Sequence, residues 1–268
     1  EKLAEIRAGL PDLAATVLIP FLRAEATLEG TVAWDDFLGD GHEPEFRPLP
    51  FDHPLYILYS SGTTGKPKCI VHGQGGVLLQ HLKEHRLHCD LRTDERLFYF
   101  TTTGWMMWNW LATGLASGAT LMLYEGNPFH PGPEALWDFV QGEGVNLFGT
   151  SAKYLDACAK AGLRPGETHD LSAVRAILST GSPLMPESFD WVHEAVKPEV
   201  QLSSICGGTD LVSCFILGNP LLPVRRGEVQ CLGLGMAVEV WDSEGRPLVG
   251  EPGELVCTRS FPSMPTGF

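Results

Sequence analysis

The stretch Tyr59–Lys68, YSSGTTGKPK, interrupts an apolar run with small, hydroxylated and basic residues. The run that leads into it, LYILY at 55–59, predicts a buried strand, the first of a central sheet, that ends where the loop begins. Glycines at 62 and 65 allow positive φ and let backbone N–H groups turn toward a ligand. The stretch also supplies hydroxyls and ammonium groups from Ser60, Ser61, Thr63, Thr64, Lys66 and Lys68. This combination favours a loop that binds a polyphosphate.

The spacing excludes two common phosphate-binding patterns. Gly62 and Gly65 are three apart and Pro67 follows Lys66, whereas a Walker A loop needs G-x-x-x-x-G-K-[ST]. The G-x-G-x-x-G pattern of a dinucleotide fold is also absent from this stretch. A flexible polar turn is the usual meaning of a short Gly/Ser/Thr run. The position directly after a predicted strand favours the binding loop over that alternative.

Composition limits the class of protein. The chain has 268 residues, 44% of them hydrophobic, so it can bury a large core. Its formal net charge of −14 argues against a nucleic acid or an anionic membrane as partner. Positive charge at a phosphate site is therefore expected to be local to the loop.

Cysteine usage and the N-terminus bear on the compartment. Seven scattered cysteines with no C-x-x-C pair suggest neither a disulfide framework nor a zinc site, so we expect reduced thiols and a cytoplasmic location. The opening EKLAEIRAGL lacks the features of a signal sequence and does not begin with Met. We therefore expect a piece of a longer chain. Residues 97–124 carry no charge, but Gly, Thr and Asn interrupt them, which favours buried α/β elements over a membrane span.

Strand and helix signals alternate along the chain. They predict an α/β fold of layered, mostly parallel sheets with flanking helices. Residues 1–49 are predicted to end a preceding α/β subdomain and its linker, with a helix at 1–9, a strand at 15–21 and a helix at 31–38. Residues 50–220 are predicted to form the central α/β region that holds the ligand sites. Residues 221–268 are predicted to form an incomplete β-rich subdomain.

Three histidines, His81, His85 and His88, fall on one face of a helix predicted over 75–87. Such a cluster resembles a metal site. However, no H-E-x-x-H motif is present. Charged neighbours favour a half-solvated helix instead; they are Lys83, Glu84 and Arg86. We therefore expect no zinc dependence.

Two further turns follow predicted strands, which is where open α/β sheets place their ligands. After the strand at 97–100, the run TTTGWMMWNW (101–110) brings an aromatic and methionine cluster to a strand end. Most aromatic clusters belong to the core, which is the alternative here. After 201–206, the sequence GGTD (207–210) offers a hydroxyl and a carboxylate suited to phosphate and Mg²⁺. A bare GGTD is more often a plain turn.

The motifs occur in an order that resembles the adenylate-forming (AMP-binding) superfamily across most of residues 50–260: phosphate loop, Gly-Trp segment, Gly-Ser-Pro turn, Thr-acid motif and GEL strand. More narrowly, FDHPLYILYSSGTTGKPKCIVH, TTTGWMMWNW, FGTSAKYL, SICGGTDL and SFPSMPTGF resemble acetoacetyl-CoA synthetases. The resemblance implies an AMP-forming acid–thiol ligase with acetoacetate, ATP and CoA as substrates. Such enzymes join a carboxylate to AMP, release pyrophosphate, and then pass the acyl group to CoA.

Residue roles follow from the same resemblance. The nucleotide-binding residues it implies are Ser60, Ser61, Gly62, Thr63, Thr64, Gly65, Lys66, Lys68, Gly181, Ser182, Pro183, Gly208, Thr209 and Asp210. The catalytic residues it implies are Thr63, Lys66, Thr209 and Asp210, with Asp210 also expected to bind Mg²⁺. The acyl-pocket residues it implies are Trp105, Met106, Met107, Thr180 and Gly207.

The chain departs from the superfamily at three positions. Asp210 stands where Glu is common, and Cys206 stands where many members have an aromatic that stacks on adenine. Acetyl-CoA synthetases have a tryptophan at the position of Gly207, so the resemblance implies that glycine leaves room for a four-carbon acid. The expected chemistry needs charge neutralisation rather than a protein nucleophile.

Two alternatives stay open at this stage. One is a synthetase for another short acid, such as propionate or butyrate. The other is a catalytically silent nucleotide-binding domain, because a fold can persist without its chemistry. The resembled family continues to a ribose-binding aspartate and a C-terminal domain with a catalytic lysine. We therefore expect the 268 residues alone to be inactive.

Overall fold

The computed structural model describes residues 2–39, 41, 43–60 and 65–268, which divide into two compact units between Leu49 and Pro50. The elements of the first unit are α1 Lys2–Ala8, β1 Val17–Leu18, β2 Val32–Ala33 and α2 Trp34–Phe37. The helix predicted at 31–38 is wrong over its first residues, because Val32 and Ala33 pair in parallel with β1. The strand predicted at 15–21 is reduced to two residues.

The second unit contains thirteen strands and six α-helices in its described residues, with a 3-10 helix at Gly114–Ser117 after α4. Its strands are β3 Pro54–Ser60, β4 Lys68–Gly73, β5 Arg96–Tyr99, β6 Thr120–Met122, β7 Leu147–Ser151, β8 Ala176–Thr180, β9 Gln201–Ser204, β10 Cys206–Gly208, β11 Ser213–Leu217, β12 Cys231–Leu232, β13 Val238–Trp241, β14 Pro247–Leu248 and β15 Glu254–Cys257. Its α-helices are α3 Gln74–Lys83, α4 Met106–Thr113, α5 Ala135–Gly142, α6 Ala152–Lys160, α7 Pro165–Thr168 and α8 Pro186–Trp191. A π-helical turn, Glu84–His88, continues α3, and a second, Val192–Val196, continues α8.

A five-stranded parallel sheet with the order β6-β5-β7-β8-β9 forms the centre. Apart from the edge strand β6, its strands are mostly buried on both faces, as is usual for parallel sheets. Phe148 and Ile177 pack on one side with Trp137. Alternate residues, such as Leu147 and Leu178, pack on the other side with Trp110. The predicted layered, mostly parallel α/β fold is therefore confirmed.

The strand that leads into the phosphate loop is not the buried central strand that its composition predicts. β3 pairs only with β4 among the described residues, in antiparallel register. Leu55, Ile57 and Tyr59 are 45%, 58% and 65% exposed. An apolar run predicts a strand, but it does not identify which faces of that strand other elements cover.

The histidine-bearing helix is half-solvated, as predicted: His81, His85 and His88 are within 1% of full burial, whereas Arg86 is exposed. Glu84, which the sequence places among the solvated charges, is instead fully buried. His88 donates from Nδ1 to Gly218 O at 2.8 Å and accepts at Nε2 from the Leu234 N–H at 3.0 Å. The described residues contain no cluster of three metal-ligating side chains. Burial lowers the pKa of all three histidines, which favours the neutral ring.

We expect acid to destabilise the fold through these histidines. Burial lowers the pKa of His81 and lowers that of His85 well below 6.5, so the unfolded chain binds more protons. Stability is then lost as pH falls through about 6.5, by about 1.4 kcal/mol per pH unit for each histidine that stays neutral. His85→Phe keeps a ring against Trp110, whose centroid lies 4.1 Å away. This variant should flatten the dependence of the free energy of unfolding on pH.

A buried residue without a titratable group provides the control for this experiment. Phe98→Leu should lower the free energy of unfolding equally at neutral and mildly acidic pH, because Phe98 is buried and cannot bind a proton. An unchanged pH slope in His85→Phe would show that this ring does not contribute to the acid sensitivity.

The final third of the second unit is rich in short strands. β10, β11 and β12 form one antiparallel sheet, and β14, β13 and β15 form another. Within the predicted β-rich subdomain at 221–268 the strands are β12–β15, and β12 pairs with β11 from before that boundary. The boundary itself stays a prediction. No helix in the described part of the chain has the length and apolarity to cross a membrane.

Candidate active site

A cavity of about 540 Å³ lies at the carboxyl ends of the parallel strands β8 and β9. Its lining is Trp105, Met106, Met107, Thr180, Gly181, Ser182, Pro183, Leu184, Phe189, Ser204, Ile205, Cys206, Gly207, Gly208, Thr209, Ser213, Cys214, Ile216, Gly227, Glu228 and Val229. A cavity at this edge of an open α/β sheet is where ligands usually bind. All five predicted acyl-pocket residues lie around it, together with the Gly181–Pro183 turn, Gly208 and Thr209.

The turn after β8 and the aromatic segment before α4 meet directly. Gly181 has φ +90°, a conformation that disfavours any residue with a side chain. The Trp105 ring lies 3.8 Å from the position of a Cβ built on Gly181. The Thr180 hydroxyl donates to Ile205 O at 2.9 Å, which ties the end of β8 to the chain after β9. These contacts hold two motifs that are distant in sequence against one cavity.

Gly207 lies in β10, opposite β11, where the two strands approach unusually closely. Its Cα partner is Cys214, and the register shifts between Cys206 and Gly207. A Cβ on Gly207 would overlap the carbonyl oxygen of Ser213 and lie 2.8 Å from Cys214 Cα. The absence of a side chain at Gly207 therefore has a backbone reason, independent of any ligand. Its predicted role in limiting acyl size stays a prediction.

The candidate phosphate loop is described only at its two ends. Ser61, Gly62, Thr63 and Thr64 lie outside the described residues. Ser60 ends β3 and Lys68 begins β4, and neither lines the cavity, nor do Gly65 and Lys66. Lys66 and Lys68 are exposed.

β4 links the loop to the GGTD turn through a histidine that the sequence patterns do not single out. His72 is fully buried, and its Nε2–H donates to Thr209 O at 2.9 Å. Burial lowers the pKa of His72, which favours the neutral ring that this hydrogen bond requires. The strand that follows the loop therefore holds the backbone at Thr209. A lone histidine in an apolar strand gives no sequence signal for such a role.

Asp210 lies at the rim of the cavity and not in its lining. The side chain is exposed, and its carboxylate lies against Gly208, where a Cβ would overlap Oδ1. Gly208 thus lets the carboxylate fold back beside Thr209. Thr209 lines the cavity and Asp210 is the next residue in the chain, and their roles toward phosphate and Mg²⁺ stay predictions.

The C-terminal motif SFPSMPTGF packs beside the same turn. Ser263 is buried and donates its hydroxyl to Leu211 O at 2.7 Å. Val71 N donates to Gly267 O at 2.9 Å, and Thr266 N donates to Val71 O at 2.8 Å. The segment therefore supports both β4 and the chain after Asp210.

Two cysteines line the cavity, but neither has the character of a nucleophile. Burial raises the pKa of the Cys206 thiol and raises that of Cys214 well above its usual range. Reactive cysteines instead have a lowered pKa. The expectation that the chemistry needs no protein nucleophile stays a prediction.

Several residues that line the cavity are not indicated by any motif in the sequence. Gly227, Glu228 and Val229 reach the cavity from the chain before β12. Phe189 reaches it from α8. The glycine at 227 is the only local signal, with φ +76° marking a turn. Leu184, Ser204 and Ile205 adjoin segments that the sequence does single out. Ser213, Cys214 and Ile216 belong to β11 and are the register partners of Gly208, Gly207 and Cys206 in β10.

Comparison with known proteins places these motifs in a family. The model of the AMP-binding enzyme family matches residues 1–264. Acetoacetyl-coenzyme A synthetase of Rhizobium meliloti is 60% identical over 99% of this chain, and acetoacetyl-CoA synthetase of Gallus gallus is 49% identical over all of it. Malonamoyl-CoA synthetase of Penicillium aethiopicum is 42% identical over 95% of it.

A solved structure gives the same result for the fold. Acetoacetyl-CoA synthetase from Streptomyces lividans is 48% identical, with a TM-score of 0.92 over 98% of this chain. The chain spans 42% of the length of the Rhizobium meliloti relative and 41% of the solved chain. Because the family model matches almost every residue, the chain belongs to the AMP-binding enzyme family.

Proposed function

We propose that this chain is part of an AMP-forming acid–CoA ligase that activates acetoacetate with ATP and transfers the acyl group to CoA. The observation that carries the proposal is the cavity, which gathers the Trp105–Met107, Thr180–Pro183 and Gly207–Thr209 segments. The similarity to acetoacetyl-CoA synthetases over the whole chain supports the choice of acid.

The proposed chemistry has two displacements. A carboxylate oxygen of acetoacetate attacks the α-phosphorus of ATP, the bond to the β-phosphate breaks, and pyrophosphate leaves. The thiol sulfur of CoA then attacks the acyl carbonyl carbon with loss of its proton, and AMP leaves. Both steps bring anions together or release them, so the site must supply positive charge and hydrogen-bond donors in place of a nucleophile.

Each proposed role suits the chemistry of its residue. Lys66 neutralises the departing pyrophosphate, and the Thr209 hydroxyl donates to the α-phosphate. Asp210 fits a Mg²⁺ ion, because it is an exposed carboxylate beside that hydroxyl and Mg²⁺ is usually held by one or two carboxylates plus substrate phosphates. When bound there, the ion supplies charge neutralisation on the phosphates. The methionines and Trp105 form an apolar wall for the short acyl chain.

ATP–pyrophosphate exchange with a panel of acids tests the proposal in the protein that contains this chain. We expect exchange that depends on acetoacetate, followed by thioester formation when CoA is added. The panel includes propionate and butyrate as alternative acids. It also includes malonamate, which shares the β-carbonyl of acetoacetate and is suggested by the malonamoyl-CoA synthetase relative. Nucleotide binding without acid-dependent exchange would favour a catalytically silent domain.

We expect Asp210→Asn to raise the Mg²⁺ concentration needed for half-maximal exchange by about tenfold or more, because weakening one ligand of a metal commonly costs that much. The measurement is the exchange rate against Mg²⁺ at saturating ATP. Glu251→Gln removes an exposed carboxylate elsewhere in the chain and should leave the Mg²⁺ dependence unchanged. A lower melting temperature with an unaltered Mg²⁺ requirement would mean that Asp210 only supports its turn.

A further inference from the structure

One carboxylate in the second unit is fully buried beneath the cavity and belongs to none of the motifs above. Glu84 opens the π-helical turn after α3 and has no exposed surface. Burying a carboxylate is costly unless hydrogen bonds compensate for the lost water. The contacts that compensate Glu84 therefore indicate what the residue does.

The first oxygen of Glu84 holds the strand on one side of the cavity. Oε1 accepts from the Ser213 hydroxyl and from the Cys214 backbone N–H at 3.3 Å. Both residues line the cavity, and they are the register partners of Gly208 and Gly207. β10 packs so closely on Ser213 that Gly207 has no room for a Cβ. The position of Ser213 therefore fixes the position of β10, which forms one wall of the cavity.

The second oxygen holds the helix that supplies the two methionines of the cavity lining. Oε2 accepts from Trp110 Nε1 at 2.9 Å. Trp110 is fully buried in α4 and lies one helical turn after Met106 and Met107, which line the cavity. A single side chain therefore connects the methionine wall with the glycine wall.

A carboxylate can accept hydrogen bonds from α4 and from β11 at the same time. Two acceptor oxygens face donors from α4 and from β11, and the Gln80 amide and the Lys83 ammonium add contacts at 3.4 Å and 3.3 Å to Oε1. A glutamine has one acceptor oxygen and one donor group. Its amide NH₂ would therefore face an N–H donor, from either Trp110 or Cys214.

We propose that Glu84 is a positioning residue that sets the separation of the two cavity walls and, through it, the choice of acid. The inference rests on the proposed function, since selectivity is read from acid activation. Glu84 reaches the substrate only through Ser213, Cys214 and Trp110, so its effect is on geometry and not on the reacting atoms.

The test compares Glu84→Gln with wild type in the protein that contains this chain, at a temperature where both are fully folded. We expect the ratio of kcat/KM for acetoacetate to that for butyrate to fall at least tenfold, with the larger part in the KM of acetoacetate. Misplacement of a wall by about 1 Å is enough for such a change. Adding Trp110→Phe removes the donor that opposes the new amide, so the double variant should recover part of the selectivity.

Amide hydrogen exchange at Cys214 gives a readout that does not depend on activity. Its N–H donates to Glu84, so exchange should accelerate at least tenfold in Glu84→Gln. If Glu84→Gln does not fold, Trp110→Phe alone carries the test, since it removes only the α4 side of the connection and should still lower selectivity severalfold.

The matched control is His88→Asn. His88 lies on the same π-helical turn and is equally buried, but its partners Gly218 and Leu234 do not line the cavity. This variant should lower thermal stability without changing acid selectivity. Folded Glu84 variants with wild-type selectivity and wild-type exchange at Cys214 would overturn the proposal. If the wild-type protein activates no acid, but Glu84→Gln still accelerates exchange at Cys214, the anchoring role of Glu84 is supported and the proposed function is rejected separately.

Discussion

Gly207→Ala is expected to abolish most acid activation, although it adds a single methyl group. The new Cβ would overlap Ser213 O and lie 2.8 Å from Cys214 Cα. Both neighbours are backbone atoms, so no side-chain rotation relieves the clash. β10 has to move away from β11, and Gly208 and Thr209 at the cavity wall move with it.

The free energy of unfolding and the rate of pyrophosphate exchange test this expectation. Overpacking of this kind costs about 1–3 kcal/mol in the free energy of unfolding. A wall displaced by about 1 Å lowers the rate of acid-dependent pyrophosphate exchange by about 10²-fold. Gly142→Ala is the control, because the position in α5 has open space around it and an ordinary helical backbone. Wild-type exchange in Gly207→Ala would show that the hairpin yields without affecting the site.

The same variant separates two explanations of the glycine. If Gly207 served only to leave room for a four-carbon acid, alanine would be tolerated and tryptophan would shift preference toward acetate. If close approach of β10 and β11 requires it, alanine already fails with every acid in the panel. The geometry favours the second explanation, and a comparison of Gly207→Ala with Gly207→Trp on acetate and acetoacetate distinguishes them.

Much of the candidate site could be predicted because the local composition of its segments differs from that of the strands around them. Gly181–Pro183 directly follows β8, and Gly207–Asp210 is a run of small and polar residues shortly after β9, although its first two residues belong to β10. Such segments in an open α/β sheet converge on one edge. The Trp105–Met107 segment also follows a strand end. Their roles toward ATP and the acid came from the family resemblance and not from spacing, and those roles stay predictions.

What the sequence did not predict depends on contacts between distant parts of the chain. Lys83 and Arg86 made Glu84 appear solvated, yet its main donors come from Ser213 and Cys214, about 130 residues away. His72 likewise donates a hydrogen bond to the carbonyl oxygen of Thr209, 137 positions later in the chain. The exposure of β3 also depends on distant parts of the chain, because the local composition of a strand does not specify which elements cover it.

Lys66→Ala should give the other large loss, because the charge at this position is expected to stabilise pyrophosphate as it leaves. Lys66 is exposed, and among the described carboxylates none forms an ion pair with it, so its charge is available to an anionic ligand. Removing one group that stabilises developing charge typically costs about 10²–10³ in rate. The loss should appear in kcat for exchange more than in the KM for acetoacetate, since the proposed function places the acid in the cavity and the lysine does not line that cavity. Lys153→Ala removes an exposed lysine on α6 and is the control for the change in net charge. A Lys66→Ala protein that exchanges pyrophosphate at the wild-type rate would remove the loop lysine from the proposed mechanism.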